Sequence, residues 1–176
     1  MERTMLDPRR KVGGAVMERE YKCRVVAWWT SGQTGLAKSD SAPNAIHFTA
    51  PLEFGGLEGR WTPEELLLAA LASCFTTTFK VVAAAARFDY TDLEVSTEGA
   101  VSKTESGYRF TDVVLRPTVT ISGEDRRGQA LELLQKTRNL CLVSRALGAS
   151  PLFEPQVEIS KIPLTGNPAA SLSHRL

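Results

Sequence analysis

The sequence predicts an α+β fold, with antiparallel sheets around a buried central helix. Three observations predict it: strand-type runs before residue 50 and again over 93–121, one strongly apolar helix with a complete start signal, and the order of elements. That order is three strands, a helix, two strands, a helix and a strand. It is not the strict alternation that builds a nucleotide-binding parallel sheet.

Tyr21, Cys23, Val25, Ala27 and Trp29 alternate along one face of a first strand, which makes Cys23 a packing residue there. The Ser31-Gly32-Gln33-Thr34-Gly35 turn predicts a hairpin, with a second strand over 36–40 and a third over 45–49. Pro51, Gly55, Gly56 and Gly59 make a loop before the main helix. There Thr62 caps, Pro63 takes the first helical position and Glu65 completes a Thr-x-x-Glu capping box. The helix is expected to run to about Arg87, and residues 66–72, apolar on every side, mark it as buried. Strands over 93–103 and 108–121 follow, joined at Glu105-Ser106-Gly107. A second helix fits 124–140, a short turn ends at Leu147-Gly148, and a last strand fits 156–162. Residues 1–20 carry Pro8, a basic run and Gly13-Gly14 without apolar periodicity, and read as a flexible extension with Met17 as an alternative start. Residues 21–162 form a single domain, and 163–176 read as a flexible tail.

Composition narrows the function. A chain of 176 residues with 43% hydrophobic content can bury a core without covalent staples. A net charge of +1, with no clustered Lys or Arg, offers nothing to nucleic acid or to an anionic membrane surface. The longest apolar run, 66–72, is far shorter than a bilayer span, and no secretory leader pattern opens the sequence. The three cysteines match no metal or haem spacing, and there are only two histidines, so neither metal nor cofactor is expected. A reducing cytoplasm is the expected compartment, where a disulfide is transient and functional. The glycines around Gln33 lack the six-position phosphate-binding fingerprint.

Two cysteines stand out. Cys74 sits inside the apolar helix, and Cys141 ends the second helix between Arg138 and Arg145, cations able to lower a thiol pKa. Either thiol can be a small core hydrophobe or a nucleophile, and burial alone favours the inert form.

Thr62-Pro63-Glu64-Glu65-Leu66 followed by Ala69-Ala70-Leu71-Ala72-Ser73-Cys74 resembles the OsmC/Ohr (organic hydroperoxide resistance) segment in which Asn/Thr-Pro-Glu opens the helix bearing a reactive cysteine. Residues 50–56 resemble the preceding loop of OsmC-like members, and Cys141-Leu142-Val143-Ser144 resembles the segment around the second cysteine. The resemblance extends from about Trp28 to Ile162. It implies an intertwined homodimer with two sites at the subunit interface, and thiol-dependent reduction of organic hydroperoxides in oxidative stress defence. On that mapping Cys74 is peroxidatic, Cys141 resolving and Glu64 the site carboxylate, and a dithiol reductant reopens the Cys74–Cys141 disulfide. Glu64 and Cys74 lie ten residues apart on one helix, about 15 Å of rise, so a shared site requires two subunits. One departure is visible: Gln33 stands where the family's peroxidases carry a turn arginine, and Arg60 is the candidate substitute. The alternative reading is a non-catalytic dimeric binder of small molecules that uses the same apolar cleft.

Overall fold

The computed structural model describes residues 20–30, 32–147 and 150–160, so the expected extension, the alternative start at Met17 and the tail lie outside the described residues. Strands β1 (Val25–Trp29), β2 (Thr34–Ser39) and β3 (Ile46–Thr49) form an antiparallel sheet in that order. Trp28 stands opposite Leu36, and Leu36 opposite His47. Gly32, at φ 72°, lets the β1–β2 chain reverse. Gly35 is glycine for a second reason, since the Phe48 ring occupies the space a Cβ would need.

Helix α1 (Pro63–Ala85) starts where the capping box places it: the Glu65 amide donates to the Thr62 hydroxyl at 3.2 Å, and the Thr62 amide donates to the Glu65 carboxylate at 2.8 Å. Strands β4 (Asp92–Thr104) and β5 (Gly107–Ile121) then form a long antiparallel hairpin. A register shift at Ala100/Val101 leaves Thr111 as the extra residue of a bulge. Helix α2 (Arg127–Leu140), the short helix α3 (Leu142–Ala146) and strands β6 (Leu152–Phe153) and β7 (Gln156–Ile159) complete the chain.

The second sheet departs from the all-antiparallel expectation. Both β6 and β7 run parallel to β5 and share one of its edges, β6 beside Val114 and Leu115 and β7 beside 118–121. Helices α2 and α3 carry the chain back along β5 to the level of Val114, which is the crossover a parallel pair needs. Arg116 ties three segments together, pairing with Glu98 at 2.7 Å and with Glu154 at 2.6 Å.

The core lies between this sheet and the helices. Leu71, Phe75, Phe79, Val82 and Ala83 of α1 meet Leu115, Val119 and Ile121 of β5 and Ala130, Leu133 and Leu134 of α2. Along β5, Leu115, Pro117, Val119 and Ile121 are buried at the strand's period of two.

Two expectations are corrected. Helix α1 is not buried all round: one stripe enters the core, while Ala70, Ser73, Thr76, Thr77, Lys80 and Val81 face outward, Val81 at 68% exposure. Its length and its mean hydropathy of 1.8 reach what a membrane span needs, although no unbroken apolar run does. Cys23 does not pack on a strand face. It precedes β1 and is exposed, as is every residue of β1, because among the described residues no second layer covers that sheet.

The buried and capping residues set separate stability scales. Phe79→Ala is expected to lower unfolding stability by about 3–5 kcal/mol through cavity formation. Thr62→Ala should lower it by about 1 kcal/mol through loss of the cap. Urea denaturation at fixed protein concentration reads both, and equal losses would contradict the assignment of Phe79 to the core.

Candidate active site

Leu67, Leu71, Cys74 and Thr78 recur at helical spacing and share one stripe of α1, beside the core stripe. Cys74 is therefore half-buried, not sealed in. What it meets is decided by how α2 ends. At Cys141 the backbone turns extended (φ −63°, ψ 113°), and α3 begins at the next residue. The first amides of a helix have no partner within it. Here the Val143 N–H donates to the Cys74 sulfur at 3.5 Å.

This contact gives the two thiols opposite characters. Burial pushes the Cys74 thiol up, but the Val143 amide, the Cys141 thiol, the Leu142 amide and the Thr78 hydroxyl outweigh it, leaving Cys74 below the ordinary thiol range. Thr78 shares its one hydroxyl proton between this sulfur and the Cys74 carbonyl oxygen 2.8 Å away. Cys141 is fully enclosed and is pushed up to about 11, first by burial and then by the adjacent Cys74, against the opposing amides of Ser144 and Val143. Of the two thiols Cys74 therefore ionises first, with Cys141 still protonated as a donor to it.

The site places the other expected residues differently. Arg138 does not act on Cys141: its guanidinium lies 5.2 Å from the Phe153 ring centroid and donates to the Pro151 carbonyl at 3.4 Å. Arg145 is exposed and has no part in either thiol's shift. Gln33 is exposed, and its carbonyl accepts from the Thr49 hydroxyl at 2.7 Å. Arg60 is exposed, without an ion pair among the described residues. Among the described residues no cation contributes to the Cys74 shift; backbone and side-chain donors take that role. Glu64 is at the start of α1, remote along the helix from Cys74, and its Oε2 is buried without a hydrogen-bond partner in the described chain.

A cleft of about 310 Å³ adjoins the stripe. Leu67, Leu68 and Leu71 of α1 form one wall, Phe110 and Val113 of β5 the other, and Leu147, which caps α3, closes an end. Arg109 is the one charged residue among the described residues that line it. Gly99 keeps the wall tight: a Cβ there would sit 2.7 Å from the Phe110 ring and 3.3 Å from Leu68. Among the described residues no cluster of His, Cys, Asp or Glu could hold a metal ion.

A family model described as OsmC-like protein matches residues 56–156, more than half of the chain and the whole stretch from the loop before α1 to the start of β7. The chain belongs to the OsmC-like protein family. This OsmC-like protein is 25% identical over 135 residues to the uncharacterized protein YmaD of Bacillus subtilis, a match covering 75% of this chain and 89% of YmaD. It is 29% identical over 105 residues to the peroxiredoxin OsmC of Escherichia coli, covering 60% of this chain and 72% of that protein. The fold is that of a crystallised organic hydroperoxide resistance protein from Elizabethkingia anophelis (TM-score 0.67, 22% identity, 82% of this chain and 100% of that one). OhrB of Bacillus subtilis shares it too (TM-score 0.54, 23% identity, 80% and 98%).

Sequence reasoning brought Cys74 and Cys141 forward, and the structure brings them together. It missed the amides of Leu142 and Val143, whose only sequence signal is the Cys-Leu-Val-Ser segment itself. Leu142→Pro tests them. Proline suits the first helical position after an extended residue, so α3 should persist while one thiolate donor is lost. The Cys74 titration, followed by thiolate absorbance, is expected to move up in Leu142→Pro, with the Cys141 step still near 11. An unchanged Cys74 midpoint would remove the amides from the account.

Proposed function

We propose that this OsmC-like protein is a thiol-dependent peroxidase that reduces organic hydroperoxides. The observation that carries the reading is the pairing of a Cys74 sulfur held by the α3 amides with a protonated, enclosed Cys141 beside it. The Cys74 thiolate attacks the terminal oxygen of the hydroperoxide. The O–O bond breaks, the alkoxide takes up a proton and leaves as alcohol, and Cys74 becomes a sulfenic acid. The Cys141 sulfur then attacks the Cys74 sulfur, water leaves, and a disulfide forms. A dithiol reductant of the cell returns both thiols and is itself oxidised to a disulfide. The order of events follows from charge. While Cys74 is anionic it holds the Cys141 proton in place, and conversion to a neutral sulfenic acid removes that hold.

The working unit is read as a homodimer in the cytoplasm. Three features support a second copy: the uncovered β1 sheet with Trp28 at 44% exposure, the outward face of α1, and the unpartnered carboxylate oxygen of Glu64. A buried carboxylate oxygen without a donor is costly, and a second subunit supplies one. Glu64 then serves the Cys74 of the opposite subunit. The name of the Escherichia coli relative supports the chemistry at 29% identity. Gln33, neutral in the first turn, favours the second reading, a dimeric binder without peroxidase activity.

Consumption of cumene hydroperoxide with dithiothreitol separates the two readings. Wild type should turn over repeatedly and Cys74→Ser should lose activity at least about a hundredfold, while Cys141→Ser, given one equivalent of peroxide without dithiothreitol, should hold a trappable sulfenic acid at Cys74 instead of a disulfide. Peptide mapping after one equivalent of peroxide should find Cys74 linked to Cys141 and Cys23 reduced. Stoichiometric oxidation that bypasses Cys74 would select the binder.

The pH profile has a definite sign. The Cys74 pKa is lowered, so the single-turnover rate should sit on its plateau above that pKa and fall as pH drops through it and the thiolate is lost. Gln33→Arg tests the turn: a faster reaction would place residue 33 beside Cys74 in the dimer, and an unchanged rate would leave the amides as the whole activating apparatus.

A further inference from the structure

The partners of the Cys74 sulfur differ in what they can do as the sulfur changes. From α3 the Leu142 and Val143 amides can only donate, and from the end of α2 the enclosed Cys141 thiol is the second reactant of the cycle. Among the described residues no charged side chain contributes to the ionisation of this sulfur. Thr78 is different in kind, because a hydroxyl both donates and accepts. It stands one helical turn after Cys74, half-buried, and a helical side chain tilts back over the turn before it. Its oxygen therefore meets the Cys74 sulfur and also the Cys74 carbonyl oxygen, 2.8 Å away.

The neighbouring hydroxyls show that this carbonyl is covered twice. Thr76 donates to the Ala72 carbonyl at 2.9 Å and Ser73 to the Ala70 carbonyl at 3.2 Å. Thr77, in contrast, stands 3.0 Å from the carbonyl oxygens of both Ser73 and Cys74. The Cys74 carbonyl thus keeps a hydroxyl donor when Thr78 turns its proton to the sulfur. That turn needs only rotation about the Thr78 C–O bond, with the side chain left in place. In a sulfenic acid the requirement reverses, since Cys74–SOH brings a proton of its own. A backbone N–H cannot accept that proton and a thiol sulfur accepts weakly, whereas the Thr78 oxygen accepts it well.

We propose that Thr78 is a positioning residue that serves the Cys74 sulfur in two states, as donor to the thiolate and as acceptor for the sulfenic acid, with Thr77 holding the Cys74 carbonyl in the first. As the sulfenic acid forms, Thr78 turns its proton back to the carbonyl and accepts the hydrogen bond of the S–OH group. No bond to Thr78 forms or breaks. The leaving oxygen is held on α1, while Cys141 approaches from the end of α2. The Cys141 sulfur then bonds to the Cys74 sulfur, and the S–O bond breaks. Its hydroxyl leaves as water with the Cys141 proton, so that Cys141 is oxidised as Cys74 is reduced. The acceptor role rests on the peroxidase reading, and the donor role on the geometry of α1 alone.

Thr78→Val removes the hydroxyl and keeps the shape, and Thr78→Ser keeps the hydroxyl. Without peroxide, alkylation by iodoacetamide across pH, read at the Cys74 peptide, reports the donor role. Its midpoint should move up in Thr78→Val, move part of the way in Thr77→Val, where the carbonyl competes for the Thr78 proton, and return in Thr78→Ser. With one equivalent of cumene hydroperoxide, quenched mass spectrometry reports the acceptor role. Disulfide closure after oxidation should slow roughly five- to tenfold in Thr78→Val, with sulfinic acid accumulating at excess peroxide, and Thr78→Ser should close near the wild-type rate. An unmoved midpoint in Thr78→Val overturns the proposal, as does closure at the wild-type rate. A Thr78→Ser that behaves as Thr78→Val overturns it too, and assigns residue 78 to packing. If peroxide oxidises Cys74 in no variant, the peroxidase reading fails and the acceptor role with it, while the alkylation midpoints still uphold or overturn the donor role.

Discussion

The burial of one stripe of α1 is the constraint on which the rest depends. Leu71, Phe75 and Phe79 lie fully inside the core between β5 and α2, and this fixes the rotation of a 23-residue helix about its axis. With that rotation set, the adjoining stripe has no freedom. Leu67 and Leu71 meet the cleft, and Cys74 meets the first turn of α3. A helix free to roll by one residue, about 100°, would carry Cys74 out of reach of the Val143 amide. The Cys74 sulfur is thus positioned by hydrophobic packing that has no chemistry of its own.

What the packing delivers is a division of labour between two identical functional groups. Among the described residues no cation contributes to the difference between the thiols. Cys74 gains donors from the chain that begins at Leu142, whereas Cys141 is enclosed with its sulfur beside another sulfur's charge. Helix-terminal amides and depth are both backbone properties, so the asymmetry belongs to the fold more than to any replaceable side chain. A neutral residue at Gln33 leaves these donors to the Cys74 sulfur in place.

Much of this was legible in the sequence, and the reasons differ by element. The start of α1 was readable because a capping box is a local signal, complete within Thr62–Glu65. The strands were readable from alternation, β4 and β5 to within a residue or so at each end. Strand β6 was not, since two residues carry no period. The parallel pairing of β7 was hidden because it depends on where α2 and α3 return the chain. Cys23 was misplaced because alternation reports which residues share a face, not whether anything covers that face. The outward side of α1 was misread for the same reason. In the site, the cysteines and Glu64 were visible as residues in motifs. The amides of α3 carry no side-chain letter, and the cleft exists only once β5 lies against α1 in one particular register.

Strand β5 closes the account in a different vocabulary, that of tolerance to change. Its last seven residues alternate between the core and half-buried positions, while its first half is mostly exposed and supplies Arg109, Phe110 and Val113 to the cleft. One continuous strand therefore holds a frozen segment and a permissive one. Substitutions near residue 109 alter what the cleft presents and leave the packing of Leu115, Val119 and Ile121 untouched. The lining of the cleft in this architecture can change in small steps without disturbing the core, because the two sets of residues are separated along a single strand.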